Sequence, residues 1–167
     1  MRDDATHAAS DDVPDEIVRS IHIKATAEVV FAIVREPGWF INDGEYRKHD
    51  VQTAGGISRV VDPVYGTFSI SAMAHEPPYR VGFRWLGGGM GEISDASNTV
   101  EFTIDPAGSS RDDEVRLTVR ERGFARLSED ASVRRRNYEE NSKGWEQELE
   151  LARTLAEKRS PAVKRTD

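Results

Sequence analysis

The stretch His75-Glu76-Pro77-Pro78-Tyr79-Arg80-Val81-Gly82-Phe83-Arg84-Trp85 is a double-proline turn that launches a strand of alternating aromatic and polar residues. Successive side chains on a strand point to opposite faces, which places Tyr79, Val81, Phe83 and Trp85 on one side and Arg80, Gly82 and Arg84 on the other. Neither Pro77 nor Pro78 can donate to a strand ladder, so the pair ends one strand before the next begins.

The same two-sidedness extends in both directions. Upstream, Phe68, Ile70, Ala72 and Ala74 alternate with Thr67, Ser69, Ser71 and Met73. Downstream, Val100, Phe102 and Ile104 line one segment, and Val115, Leu117 and Val119 line another, opposite Arg116, Thr118 and Arg120. Period-two patterning over segments joined by short turns predicts an antiparallel sheet with one covered face. A first strand is expected over 17–24, a second over Tyr46 to Val51, and a third after the turn dipeptide Gly55-Gly56. Between the first two, Thr26 caps a short apolar helix through Val34, with Glu28 in its first turn and Pro37-Gly38 ending it. From Ser132 to Lys158 the period becomes helical, with Tyr138, Trp145, Leu149, Ala152 and Ala156 on one face. Gly144 costs a helix roughly 1 kcal/mol against alanine, which we read as marking a bend or a close approach to the sheet.

Composition bounds the function. At 167 residues, 37% of them hydrophobic, the chain suits one domain. A formal charge of -7 argues against a nucleic-acid partner, which needs a basic footprint. With no cysteine there is no disulfide, thiolate nucleophile or cysteine metal site, which suits a reducing compartment. No apolar run reaches the ~20 residues of a membrane span, and a cytoplasmic protein is expected. Residues 1–15 are polar and acidic and read as a disordered tail, 160–167 as a second tail, and 16–159 as the folded domain.

The chemical motifs are sparse. The glycines following Trp85, in Gly87-Gly88-Gly89-Met90-Gly91, lack the lysine and hydroxyl of a phosphate loop and read as a hairpin connection or a mobile lip. His22 and His75 fall on polar strand faces, and His7 lies in the tail. His49-Asp50 is the least dismissible pair, an aspartate that could orient an imidazole, although neighbours on a strand diverge. No G-x-S-x-G elbow is present. Glu139 and Glu140 diverge on a helix and sit within ion-pair spacing of arginines, and Arg134-Arg135-Arg136 reads as a solvated helix face. No catalytic residue, metal or cofactor is assigned.

Taken in order, these elements resemble the helix-grip fold of the START-like, or SRPBCC, superfamily. Glu76-Pro77-Pro78 through Trp85 is similar to the E-P-P-x-R-x-x-F-x-W strand of the subfamily related to the C-terminal domain of the heat-shock-protein-90 ATPase activator. Thr26-Ala27-Glu28-Val29-Val30-Phe31 resembles its opening helix, Glu114 to Val119 with Gly123-Phe124 its last strand, and Gly144-Trp145 with Leu149 its final helix. The resemblance implies an α+β fold in which a curved antiparallel sheet wraps a long C-terminal helix, with two short helices near the N-terminus and an apolar cavity inside. It implies a hydrophobic small-molecule ligand, such as a lipid, an aromatic or a polyketide-like compound. Trp39, Phe68, Phe83, Trp85, Phe102 and Trp145 are then the expected wall, with Tyr46 and Arg84 as polar contacts. A chaperone partner, or a cyclase or hydrolase reaction, is the alternative.

Overall fold

The computed structural model describes residues 13–42, 44–88, 98–107, 113–126 and 129–160. In chain order the elements are β1 (Glu16–Ile23), α1 (Ala27–Val34), β2 (Asp50–Ala54), β3 (Ile57–Asp62), β4 (Gly66–Glu76), β5 (Arg80–Gly88), β6 (Thr99–Pro106), β7 (Val115–Arg122) and α2 (Ala131–Arg159). The strands form one antiparallel sheet in the order β1-β7-β6-β5-β4-β3-β2. Consecutive strands from β2 to β7 are neighbours, so hairpins build the sheet, and β1 closes against β7.

The expected alternation is what buries the sheet on one side. Val81 and Phe83, Val100, Phe102 and Ile104, and Val115, Leu117 and Val119 are all buried, with Ile17 and Ile23 of β1 beside them. Helix α2 covers this face with Trp145, Leu149, Ala152 and Ala156, and α1 adds Val30, Phe31, Ile33 and Val34. Thr26 caps α1 as its sequence predicts, its hydroxyl accepting from the Val29 N–H at 3.2 Å. Gly55 and Gly56 both take positive φ, the mirror-image turn that suits the twist of a two-residue hairpin.

Several expectations give way to the structure. One short helix, not two, is present near the N-terminus among the described residues; after α1 the chain continues in tight turns, with Trp39 N–H bonding Glu36 O and Ile41 N–H bonding Gly38 O. Strand β2 starts at Asp50 because residues 46–49 are drawn out of the sheet by side-chain bonds: Tyr46 to Glu36, and Arg47 and His49 to Asp62. Tyr79 lies in the turn, whose Pro77–Pro78 bond is cis, and is exposed instead of joining the inward face. In β4 the register jumps between Ala72 and Ala74, a bulge with Met73 as the extra residue. Beyond it the faces exchange: Ala74 stands opposite Gly82, and His75 opposite the buried Val81, its ring 5.5 Å from Phe31. Gly87 and Gly88 pair with β4 instead of opening a loop, and the remainder of the expected glycine lip lies outside the described residues.

At the ends, Val13 packs on the core, and Asp15, placed in the tail by composition, accepts from the Gly123 N–H at 2.9 Å and the Ala125 N–H at 3.1 Å. Residues 1–12 and 161–167 of the expected tails lie outside the described residues. The close-approach reading of Gly144 also fails, because a Cβ there would meet nothing within 4 Å. Gly144→Ala therefore removes a propensity penalty without a clash. Thermal unfolding should show it stabilised by about 1 kcal/mol, roughly 3 °C in Tm. By contrast, Gly123 has φ +119 and a Cβ there would lie 2.5 Å from Asn98 Oδ1, so Gly123→Ala should lower Tm.

Candidate functional site

Between the sheet and α2 the aromatic side chains form one connected network. Its hub is Phe40, whose ring lies 5.2 Å from Trp145, 5.8 Å from Trp39, 5.9 Å from Trp85 and 6.1 Å from Phe102. Phe102 also meets Trp39 at 5.5 Å and Trp145 at 5.7 Å, and Phe68 meets Trp85 at 5.0 Å. These tilted and edge-on spacings suit ring quadrupoles better than stacked faces. Trp39, Phe102 and Trp145 are buried, whereas Phe40, Phe68 and Trp85 are only partly buried and form the open side of the network.

The structure thus brings together Trp39, Phe68, Trp85, Phe102 and Trp145 of the expected wall. Phe83 is buried in the same core but stands outside the ring network. Phe40 is the residue the choice of wall omits. Its signal was its place beside Trp39 just after Pro37-Gly38, where a tight turn turns both neighbours inward. The two polar candidates lie elsewhere. Arg84 is exposed on the outer face, between Ser71 and Thr99. Tyr46 donates to the Glu36 carboxylate at 2.7 Å and carries the Arg159 guanidinium over its ring; burial and then Glu36 push its hydroxyl pKa up.

The polar groups that do border the rings are two buried glutamates. Glu121 continues the inward series of β7 after Val119, so period two points to it. Its carboxylate accepts from the Trp145 indole N–H at 2.7 Å, from Asn98 at 3.0 Å and from Asn141 at 3.3 Å. Burial pushes its pKa up, and these neutral donors only partly offset that. Glu148, one turn along α2 from Trp145, accepts from Asn42 at 2.8 Å, and the same amide also donates to Trp39 O. Trp39 itself holds a buried indole N–H with no acceptor among the described residues.

His49 is partnered not by Asp50 but by Asp62, across the β2–β3 hairpin, at 2.8 Å. Asp62 is buried and also accepts from Arg47 at 2.9 Å and from the Val64 and Tyr65 N–H groups. Burial raises its pKa, yet the hydrogen bonds from Tyr65, His49, Val64 and Arg47 outweigh that and hold it at about 2. A fully donor-saturated carboxylate is an anchor for the chain before β2, not a reactive group. Among the described residues, no three histidine or carboxylate side chains converge as metal ligands would. No helix among them is long and apolar enough to cross a membrane.

Burial raises the Glu148 carboxyl from 4.5 to about 7, with the Asn42 bond pulling the other way. The folded protein therefore holds this proton more tightly than the unfolded chain. The stability it contributes is complete below the unfolded value of 4.5 and is lost as pH rises through about 7. Chemical denaturation at about pH 5 and about pH 8 should show the wild type losing about 2 kcal/mol more than Glu148→Gln over that interval. Equal losses in the two proteins would contradict the assignment.

No protein-family model matches the sequence, and no curated protein matches it significantly. Solved structures do. A START superfamily protein from Mycobacterium smegmatis superposes with a TM-score of 0.54 at 16% identity, over 89% of this chain and 98% of that one. CalU16 from Micromonospora echinospora gives 0.56 at 18%, over 92% and 84%. The Aha1 dimer from Colwellia psychrerythraea gives 0.58 at 13%, over 84% and 96%. The seven-stranded sheet, the long C-terminal helix and these superpositions together show that the chain has a helix-grip fold, similar to that of the START superfamily protein.

Proposed function

We propose that the protein binds a hydrophobic small molecule between the sheet and α2, in contact with Trp39, Phe40, Phe68, Trp85, Phe102 and Trp145. The observation that carries this reading is the ring network itself, with its partly buried side at Phe40, Phe68 and Trp85. A core built only for stability gains from complete burial, whereas this one leaves three rings of its network incompletely covered. Apolar ligand surface placed against them would gain roughly 25 cal/mol per Å² removed from water. Phe40 is the side chain that has to move, since its ring contacts four of the others. The Trp39 indole N–H, unpaired among the described residues, offers a donor to an oxygen-bearing aromatic or polyketide-like ligand.

All three tryptophans of the chain belong to the network, so tryptophan emission, excited selectively over the tyrosines, reports on it. Titration with a long-chain fatty acid and with a flat polycyclic phenol should shift or quench the emission for at least one of them. Phe40→Leu and Trp85→Ala should each weaken that binding by roughly tenfold, the worth of about 1.4 kcal/mol. Emission that no apolar compound changes, or affinity indifferent to both substitutions, would overturn the proposal.

A catalytic version of this reading rests on Glu148. A carboxyl with a pKa of about 7 can give and take a proton at neutral pH. If a bound substrate turns over, Glu148→Gln should abolish turnover while leaving ligand affinity within a few fold. The resemblance of Glu76 to Trp85 to the heat-shock-protein-90 ATPase activator subfamily supports a different reading, in which the domain engages a chaperone. Recovery of a chaperone on the immobilised protein, together with a change in that chaperone's ATP hydrolysis, would favour it.

A further inference from the structure

The two edges of the sheet are built differently. On β1, Arg19 donates to Ser142 and pairs with Glu146 on α2, the Lys24 N–H bonds Glu157 at 2.9 Å, and His22 meets Glu114. The helix and these charges shield that edge. Strand β2, at the other end of the order, is Asp50-Val51-Gln52-Thr53-Ala54, and every one of its residues is exposed. It carries no proline and no lysine, and its pairing with β3 runs without a bulge. Proline, lysine and bulges are three of the devices by which soluble proteins keep an open edge from pairing; of the others, β2 has its short length and the charge of Asp50. Exposed apolar side chains also gather here: Val51, Ile57, Val61, Val64 and Tyr65 all lie on β2, β3 or the turn that follows.

We propose that β2 is an interface between two copies of this chain, paired antiparallel about a twofold axis at Gln52. In that register Asp50 faces Ala54 of the partner subunit, Val51 faces Thr53 of the partner subunit, and Gln52 faces Gln52 of the partner subunit. No like charges meet, and each residue meets one from the same sheet face, because opposed residues in an antiparallel pair share a side. A slip by one residue would set outer positions against inner ones. Within each chain Gln52 stands opposite Arg59 on β3. The row across the interface is then Arg59, Gln52, Gln52 of the partner subunit, Arg59 of the partner subunit, so a neutral amide pair separates the two guanidinium groups. The twofold keeps both α2 helices on one side of a continuous sheet, away from the new contact.

Analytical ultracentrifugation of the full chain over a concentration series tests this. The wild type should dimerise. Gln52→Lys puts four cations in that row and should weaken the dimer by roughly tenfold or more, with an unchanged circular-dichroism spectrum showing that the fold survives. Gln52→Glu faces Arg59 in its own chain, and an equimolar mixture of Gln52→Lys and Gln52→Glu should restore dimers to at least the wild-type affinity. A wild type that stays monomeric at all concentrations overturns the proposal and leaves the edge to an extended peptide of another protein. A dimer indifferent to Gln52→Lys overturns it equally, by placing the contact on another surface.

Discussion

The bond from the Trp145 indole N–H to Glu121 offsets the cost of burying that ring between helix and sheet. An unpaired buried donor costs about 1–3 kcal/mol, enough to pull a single tryptophan back toward solvent. The 2.7 Å bond fixes the rotation of Trp145, and that orientation sets its 5.2 Å and 5.7 Å contacts with Phe40 and Phe102. Glu121 in turn is held by Asn98, whose carbonyl accepts from the Trp85 N–H at 2.8 Å at the end of the β5–β6 ladder. Gly123 lets Asn98 sit there, since any Cβ would strike its side chain. A chain of contacts thus runs from a glycine after β7, through a buried carboxylate, to the ring face of the site.

Burial alone does not decide what a carboxylate does in this protein. Asp62, Glu121 and Glu148 are all buried, so each pays for leaving water. Asp62 collects two backbone N–H groups, an arginine and a histidine, and stays ionised down to about pH 2. Glu121 collects only neutral donors from Trp145, Asn98 and Asn141, and its pKa remains raised. Glu148 collects a single amide and rises to about 7. The gradient from charged and plentiful donors to one neutral donor is what spreads the three carboxyl pKa values apart. It also runs in space, since Asp62 ties down the chain before β2 while Glu121 and Glu148 border the rings.

Much of the fold was legible because it rests on local periodicity. Val81 and Phe83, Val100 to Ile104, and Val115 to Val119 announced the buried face of the sheet, and Trp145 with Leu149 announced the helix that covers it. The errors fell where long-range pairing overrides local pattern. Nothing near Tyr46 signals that Glu36 claims its hydroxyl, or that Asp62 claims Arg47 and His49, so local pattern starts the strand too early. Met73 looks like an ordinary alternate residue, and only its mismatch with β5 makes it a bulge, which moved His75 to the other face. The rings of the site were readable as aromatic residues facing inward. Phe40 as their hub was not, because a turn and not a strand presents it.

The ring network and the open β2 edge answer the same problem in opposite ways. A sheet covered on one face by a single long helix has apolar surface left over wherever the helix does not reach. Near Trp145 that surplus is closed by the turn carrying Trp39 and Phe40, which is pinned to α2 by Asn42 bonding both Trp39 O and Glu148. At β2 neither turn nor helix among the described residues covers the strand, and only another strand can satisfy its outward N–H and C=O groups apart from water. The helix grip therefore leaves partly covered rings at Phe40, Phe68 and Trp85 and an exposed strand at β2.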